Sequence, residues 1–140
     1  DANGKPLDIR QLKTGDQVLV ELRVESDEAV NDALVVDLLP AGLEVENQNL
    51  ASSFELSELN VGGERVTELM SMLDIRHQEF RDDRYVAAVN LHYRGARLFY
   101  LARAVTPGSY RIPPTYAESM YRPETRHQGG EKGWLRVKAR

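Results

Sequence analysis

The sequence predicts an all-β fold, an antiparallel β-sandwich of the immunoglobulin or fibronectin type with about seven strands. Short segments alternate between apolar and polar residues with period two, and turn residues separate them. Only residues 64–73 have apolar residues at helical spacing. The length of 140 residues is typical of one domain with a normal core. We expect residues 1–11 to be a linker from a preceding domain and residues 12–140 to form the sandwich.

The first part of the chain predicts three strands. Residues 17–25 alternate strictly between apolar and polar side chains, which is typical of a strand with one buried face. Residues 33–39 form a second strand, and its adjacent valines Val35 and Val36 indicate that both faces are partly covered. Pro40 and Gly42 then favour a turn into a short third strand.

Residues 47–72 are the least regular part of the sequence. A short helix would place four apolar side chains of residues 64–73 on one face, namely Val66, Leu69, Met70 and Leu73. The alternative is a long ordered connection between strands, and the sequence favours neither.

The second part predicts the remaining strands. Residues 75–80 and 84–93 flank the turn Asp82-Asp83, which is a hairpin signal. The strongly apolar residues 98–105 indicate a central strand. Residues 110–112 predict a short strand. The last strand, 133–138, places Trp134, Arg136 and Lys138 on one side and Leu135 and Val137 on the other.

One segment departs from this pattern, the stretch PPTYAESMYRP at residues 113–123. Its prolines fix φ and lack backbone donors, so the segment is predicted not to be a central strand. It is instead expected to be a loop that carries Tyr116, Met120 and Tyr121. Large side chains on a loop either close one end of their own sandwich or contact something outside it, and the sequence leaves both alternatives open.

The residues offer little for catalysis. His77 and Glu79 would lie on one face of a strand and could share a metal ion, but two ligands do not make a specific site. Asp82-Asp83 is better explained as a turn than as a pair of catalytic carboxylates. Gly62-Gly63 lacks the Lys-Ser/Thr that follows in a phosphate-binding loop. With no cysteine in the chain, we expect a protein without catalytic residues, metal or cofactor.

The net charge of −4 conceals an uneven distribution. Residues 1–70 carry 5 basic and 15 acidic side chains, and residues 71–140 carry 13 basic and 7 acidic ones. We expect the two halves to neutralise each other across one fold. Aromatic and basic residues between Arg97 and Arg103 weakly suggest single-stranded nucleic acid. Core packing of a central strand explains Phe99 and Tyr100 better, so no nucleic-acid partner is expected.

Four segments in this order resemble the C-terminal macroglobulin-like domain of bacterial α2-macroglobulins. They are LPAGLE at 39–44, RDDRYVAA at 81–88, VTPG at 105–108 and PPTYAESMYRP at 113–123. The resemblance extends from about Leu12 to Val137. It implies a seven-stranded macroglobulin-type sandwich at the end of a very large periplasmic protein that traps or inhibits proteases.

The resemblance also implies partners and a site. The partners would be neighbouring domains of the parent, proteases bound by the parent, and a peptidoglycan-synthesising penicillin-binding protein. Membrane association would come only through the parent's distant N-terminal anchor at the inner membrane. Met120 and Tyr121 match a Met-Tyr pair that shields a thioester in a neighbouring domain from water, and Tyr116 belongs to the same segment.

A second function stays open at this point. The same aromatic side chains could form the platform of an independent adhesion or carbohydrate-binding β-sandwich. An enzyme with a metal at His77 and Glu79 is a more distant third alternative.

Overall fold

The computed structural model describes residues 8–24, 30–46, 60–71, 73–91, 96–119, 126–129 and 133–139. These residues form thirteen strands and one helix. They are β1 (Leu12–Lys13), β2 (Gln17–Val24), β3 (Val30–Leu38), β4 (Leu43–Val45), β5 (Asn60–Val61), β6 (Glu64–Arg65), α1 (Val66–Ser71), β7 (Asp74–Arg81), β8 (Arg84–Leu91), β9 (Ala96–Ala104), β10 (Gly108–Arg111), β11 (Tyr116–Ser119), β12 (Arg126–Gln128) and β13 (Trp134–Lys138). Within the described ranges, no helix is long and apolar enough to span a bilayer.

One layer is a five-stranded antiparallel sheet in the order β12-β11-β3-β8-β7. Its β7–β8 hairpin turns at Asp82-Asp83, where Arg81 pairs with Arg84. The hairpin predicted from the sequence is therefore confirmed.

The opposite layer contains two three-stranded sheets, β2-β9-β4 and β1-β13-β10. In the first, β9 lies between its two neighbours, which confirms the predicted central strand. In the second, β1 runs parallel to β13 and β10 antiparallel to it. The predicted all-β sandwich is confirmed. The described part contains thirteen strands instead of about seven, and three of them are paired pieces of only two residues.

The core is built around β9, which is covered on both sides. Residues 98, 100, 102 and 104 face the five-stranded sheet within one large buried cluster. Phe99 and Leu101 point the other way and pack against Val66 and Leu69 of α1. Of the two alternatives for residues 64–73, the helix is confirmed. It is shorter than predicted because residues 64–65 pair as β6.

Two tyrosines connect the layers inside the core. Tyr85 of β8 and Tyr100 of β9 stack with ring centroids 4.6 Å apart and an interplanar angle of 16°. The Tyr100 hydroxyl donates a hydrogen bond to the Asp37 carboxylate on β3. Burial raises the pKa of both tyrosine hydroxyls, and for Tyr100 the adjacent carboxylate raises it further. Both phenols are therefore neutral donors at physiological pH.

The prediction of a loop for residues 113–123 is wrong at residues 116–119. These residues form β11, which is an internal strand between β3 and β12. Pro113 and Pro114 precede the strand and Pro123 follows it, so no position in the β11 ladder lacks a donor. The prolines bound the strand and do not interrupt it.

The residues just before β1 contact the sandwich. Ile9 packs against the main core cluster, and its carbonyl oxygen accepts a hydrogen bond from the Arg136 backbone N–H at 2.9 Å. The assignment of residues 1–11 to a linker stays a prediction, and Ile9 of that range lies against the domain.

The buried hydrogen bond of Tyr100 predicts a measurable loss of stability. In Tyr100→Phe, the Asp37 carboxylate loses a buried donor, so we expect the free energy of unfolding to fall by about 1–3 kcal/mol. Tyr110→Phe is the matched control, because its hydroxyl bonds to backbone carbonyl groups at an exposed turn. Denaturant unfolding of both variants measures the difference, and equal losses would contradict the importance of the buried bond.

Candidate functional site

Tyr116 begins β11 and points away from the core. Its Cα partner on β3 is Val36, whereas the next residue, Ala117, pairs with the fully buried Val35. The Tyr116 hydroxyl donates a hydrogen bond to Glu118 Oε2 at 3.1 Å, along the same face. Met120 and Tyr121, the other two predicted site residues, lie outside the described residues. The last residue of β11, Ser119, immediately precedes them in the chain.

The start of β11 is held from both sides. The Thr115 hydroxyl donates a hydrogen bond to Asp37 Oδ1 at 2.8 Å. The Thr115 carbonyl oxygen accepts one from the Gly129 N–H at 2.7 Å. Asp37 is 4% exposed and also receives the Tyr100 hydroxyl. One buried carboxylate therefore connects the core of the sandwich to the residue that precedes Tyr116.

A depression of about 360 Å³ adjoins the Tyr116 ring on the outer face of the five-stranded sheet. Its lining is mainly apolar and consists of Val36, Leu38, Arg84, Pro113, Pro114 and Tyr116. The one charged lining residue, Arg84, donates two hydrogen bonds to the neighbouring Asp83, both at 3.2 Å. Its charge is thus compensated at the rim.

The apolar character continues over the central strands β3 and β8 of the outer face, whereas the facing positions of β7 carry His77, Glu79 and Arg81. The cross-strand pairs Leu34–Ala88 and Val36–Val86 both point outward, and Leu38 is 40% exposed. An antiparallel sheet with one face in water normally carries polar residues there. An apolar outer face is typical of a surface that contacts another protein element. We refer to Leu34, Val36, Leu38, Val86, Ala88 and Tyr116 as the apolar face.

His77 and Glu79, the two candidate metal ligands, form a hydrogen bond with each other. His77 Nε2 lies 3.1 Å from Glu79 Oε1 on the exposed strand β7. The hydrogen bond with His77, together with nearby Arg81, holds the pKa of the Glu79 carboxyl below its usual range. Within the part of the chain that the structure describes, no group of three potential metal ligands comes together.

The mixed aromatic and basic residues of β9 do not form a nucleic-acid surface. Phe99 and Tyr100 are buried, so neither ring is available for stacking on a base. Arg97 pairs with Glu21 and Arg103 with Glu46, each at 2.6 Å. These pairs join the basic half of the chain to the acidic half, as expected from the charge distribution. Partial burial raises the pKa of Glu21, but hydrogen bonds from Arg97 and Arg23 outweigh it and hold the pKa low.

Two contributors were missed by sequence reasoning, Asp37 and Thr115. A signal for Asp37 was present, because it continues the inward alternation of Ala33 and Val35. An acidic residue at an inward position of an apolar strand predicts a buried hydrogen-bonded carboxylate. Thr115 carried no comparable signal, since its contact with Asp37 spans 78 residues.

Comparison with known proteins identifies the class of domain to which this sandwich belongs. The family described as the bacterial alpha-2-macroglobulin MG10 domain matches residues 1–124. The chain therefore belongs to the bacterial alpha-2-macroglobulin MG10 domain family. Strands β12 and β13 follow residue 124 and pair with β11, β1 and β10, so they are part of the same sandwich.

Curated relatives and solved structures agree with this assignment. The alpha-2-macroglobulin of Escherichia coli (strain K12) is 50% identical over 139 residues, which are 97% of this chain and 8% of that protein. The alpha-2-macroglobulin of Xylella fastidiosa (strain Temecula1) is 49% identical over 128 residues, 91% of this chain and 8% of that protein. The chain thus spans about 8% of the length of these relatives.

Two solved structures of the Escherichia coli protein resemble this domain closely. Native alpha-2-macroglobulin from domain MG7 to the C-terminus superposes with a TM-score of 0.87 at 48% identity, covering 97% of this chain and 22% of that one. The trypsin-activated protein superposes with a TM-score of 0.87 at 49% identity, covering 98% of this chain and 10% of that one.

Because Thr115 directly precedes β11 and donates a hydrogen bond to Asp37, we expect this bond to hold β11 in position. Valine has a shape similar to threonine but lacks the hydroxyl, so in Thr115→Val the Asp37 carboxylate loses one donor. We expect the free energy of unfolding to fall by about 1–3 kcal/mol and amide exchange at residues 116–119 to become faster. Thr106→Val is the control, since Thr106 is exposed in a turn and such changes cost within about 0.5 kcal/mol. Hydrogen exchange and denaturant unfolding measure both effects. Unchanged exchange in β11 would contradict the anchoring role.

Proposed function

We propose that this chain is a terminal, non-enzymatic interaction domain of a bacterial α2-macroglobulin that traps proteases. Its apolar face and the segment from Tyr116 to Tyr121 would dock on a neighbouring domain and shield a thioester there. The observation that carries the proposal is the apolar outer face around Tyr116, directly before Met120 and Tyr121.

The relatives support the protease-trapping role of the parent. Solved structures include Escherichia coli alpha-2-macroglobulin activated by trypsin and by porcine elastase. Another is Salmonella alpha-2-macroglobulin reacted with methylamine. Methylamine is a small nucleophile of the kind that opens a thioester. Because this chain spans about 8% of such proteins, the reactive group would lie in another domain and this chain would act on it through contact.

The physical basis is exclusion of water. A thioester is lost when water or an amine attacks its carbonyl carbon, and an apolar cover lowers the access of both. Tyrosine and methionine suit such a cover, because they supply large contact areas and adapt to the surface they meet. Asp37 and Thr115 would hold the cover in place by fixing the start of β11.

The proposed setting is the periplasm, with inner-membrane association through the full-length parent. Partners would be the neighbouring domains, proteases bound by the parent and a penicillin-binding protein. The alternative of an independent adhesion or carbohydrate-binding module is less well supported, since the relatives carry this domain as a small part of a long chain.

A double substitution at the predicted site tests the proposal. Met120→Ala with Tyr121→Ala is expected to leave the melting temperature of the 140-residue chain nearly unchanged. In the parent protein it should shorten the lifetime of the thioester, measured as the rate of thiol release with methylamine before any protease is added. Trp134→Ala is the control, because Trp134 is 54% exposed on the opposite layer.

Two results would count against this function. An unfolding cost of about 3–5 kcal/mol in the chain would place the two side chains in its core. An unchanged rate of thiol release in the parent would mean that they cover nothing reactive.

A further inference from the structure

The outer face of the sheet β1-β13-β10 collects positive charge. Direct cross-strand partners point to the same side of a sheet, and the pairs are Lys13–Lys138, Ser109–Arg136 and Arg111–Trp134. Their neighbours Leu12, Leu135 and Val137 are buried in the core. We call the exposed set Lys13, Arg111, Trp134, Arg136 and Lys138 the cationic face.

The four cations of this face form no ion pair within the described ranges. Arg97 and Arg103, on the neighbouring sheet, are both paired with glutamates. Lys13 and Lys138 lie directly opposite each other, an arrangement that opposes folding because like charges repel. Within the part of the chain that the structure describes, the arginines Arg97 and Arg103 of β9 are thus neutralised by glutamates, whereas the cations of this face are not.

Trp134 adds an apolar group to this face. Its side chain is 54% exposed, and the Arg111 guanidinium lies 5.6 Å from the ring centroid. An amphipathic indole ring surrounded by Lys and Arg is typical of the membrane–water interface. With a rise of about 3.4 Å per residue, the face extends roughly 14 Å from Trp134 to Lys138. It is an open sheet surface and not a groove.

We propose that the cationic face binds the surface of an anionic phospholipid bilayer. The lysine and arginine side chains would contact headgroup phosphates, and Trp134 would insert its ring between the headgroups. Binding to nucleic acid is less favoured, because stacking needs successive aromatic rings and Trp134 is the one aromatic on the described part of this face. The cationic face lies on the layer opposite the apolar face, so both surfaces can be occupied at once.

The single tryptophan makes the test direct. The 140-residue chain is mixed with vesicles of phosphatidylglycerol and phosphatidylcholine, or of phosphatidylcholine alone, and partition is measured by flotation. We expect binding to anionic vesicles only, a blue shift of Trp134 fluorescence, and release at about 0.5 M salt, where charges are screened beyond a few ångströms. Trp134→Ser should weaken partition into the anionic vesicles.

Charge variants distinguish binding by the cationic face from attraction by the overall charge of the protein. Each cation near an anionic surface contributes roughly fivefold to partition, so Arg136→Gln with Lys138→Gln should lower it roughly 25-fold. Arg65→Gln with Arg76→Gln is the matched control, since both side chains are exposed on β6 and β7 and the net charge changes equally. Circular dichroism verifies that all variants remain folded.

Three outcomes would overturn the proposal. Equal losses in the two double variants would indicate nonspecific attraction. If the protein binds vesicles but the fluorescence emission of Trp134 does not shift, the contact lies outside the cationic face. Tighter binding to a single-stranded oligonucleotide than to anionic vesicles would assign the face to nucleic acid.

Discussion

The buried carboxylate of Asp37 is the contact on which the arrangement of this domain depends. Burial of a charged group is costly unless donors surround it. Asp37 accepts the Tyr100 hydroxyl from the opposite layer and the Thr115 hydroxyl from the residue before β11. The two layers and the start of the Tyr116 strand are therefore fixed by one side chain. A shift of β11 would leave a buried charge with fewer donors, so the strand has one favoured position.

The domain carries two exposed surfaces on different sheets. The apolar face belongs to the five-stranded sheet, and the cationic face belongs to the sheet β1-β13-β10 on the opposite layer. The stacked rings of Tyr85 and Tyr100 fill the space between the layers. A domain that docks on a neighbour through one layer leaves the other available. Such a division of contacts between layers suits the proposed role in a longer protein, since the chain spans about 8% of the length of the curated relatives it matches.

Period-two alternation predicts strands and the turn residues Asp82-Asp83 predict the hairpin, because both features are local, and the strongly apolar composition of residues 98–105 predicts the central position of β9. Alternation also places Trp134, Arg136 and Lys138 on one side of β13. It could not show that Lys13 and Arg111 join them, since that depends on pairing between distant segments. The strand at residues 116–119 is not evident from the sequence, because its flanking prolines favour a loop. The partners of Asp37 are not evident either, because Tyr100 and Thr115 are distant from it in the sequence.

Radical footprinting of Tyr116, Met120 and Tyr121 would test most directly whether this segment covers a neighbouring domain. Hydroxyl radicals modify exposed tyrosine and methionine side chains, and mass spectrometry quantifies the modification at each residue. The three side chains should react readily in the 140-residue chain, be protected in the intact parent protein, and regain reactivity after protease cleavage. Equal reactivity in the chain and in the intact parent would contradict a covering role.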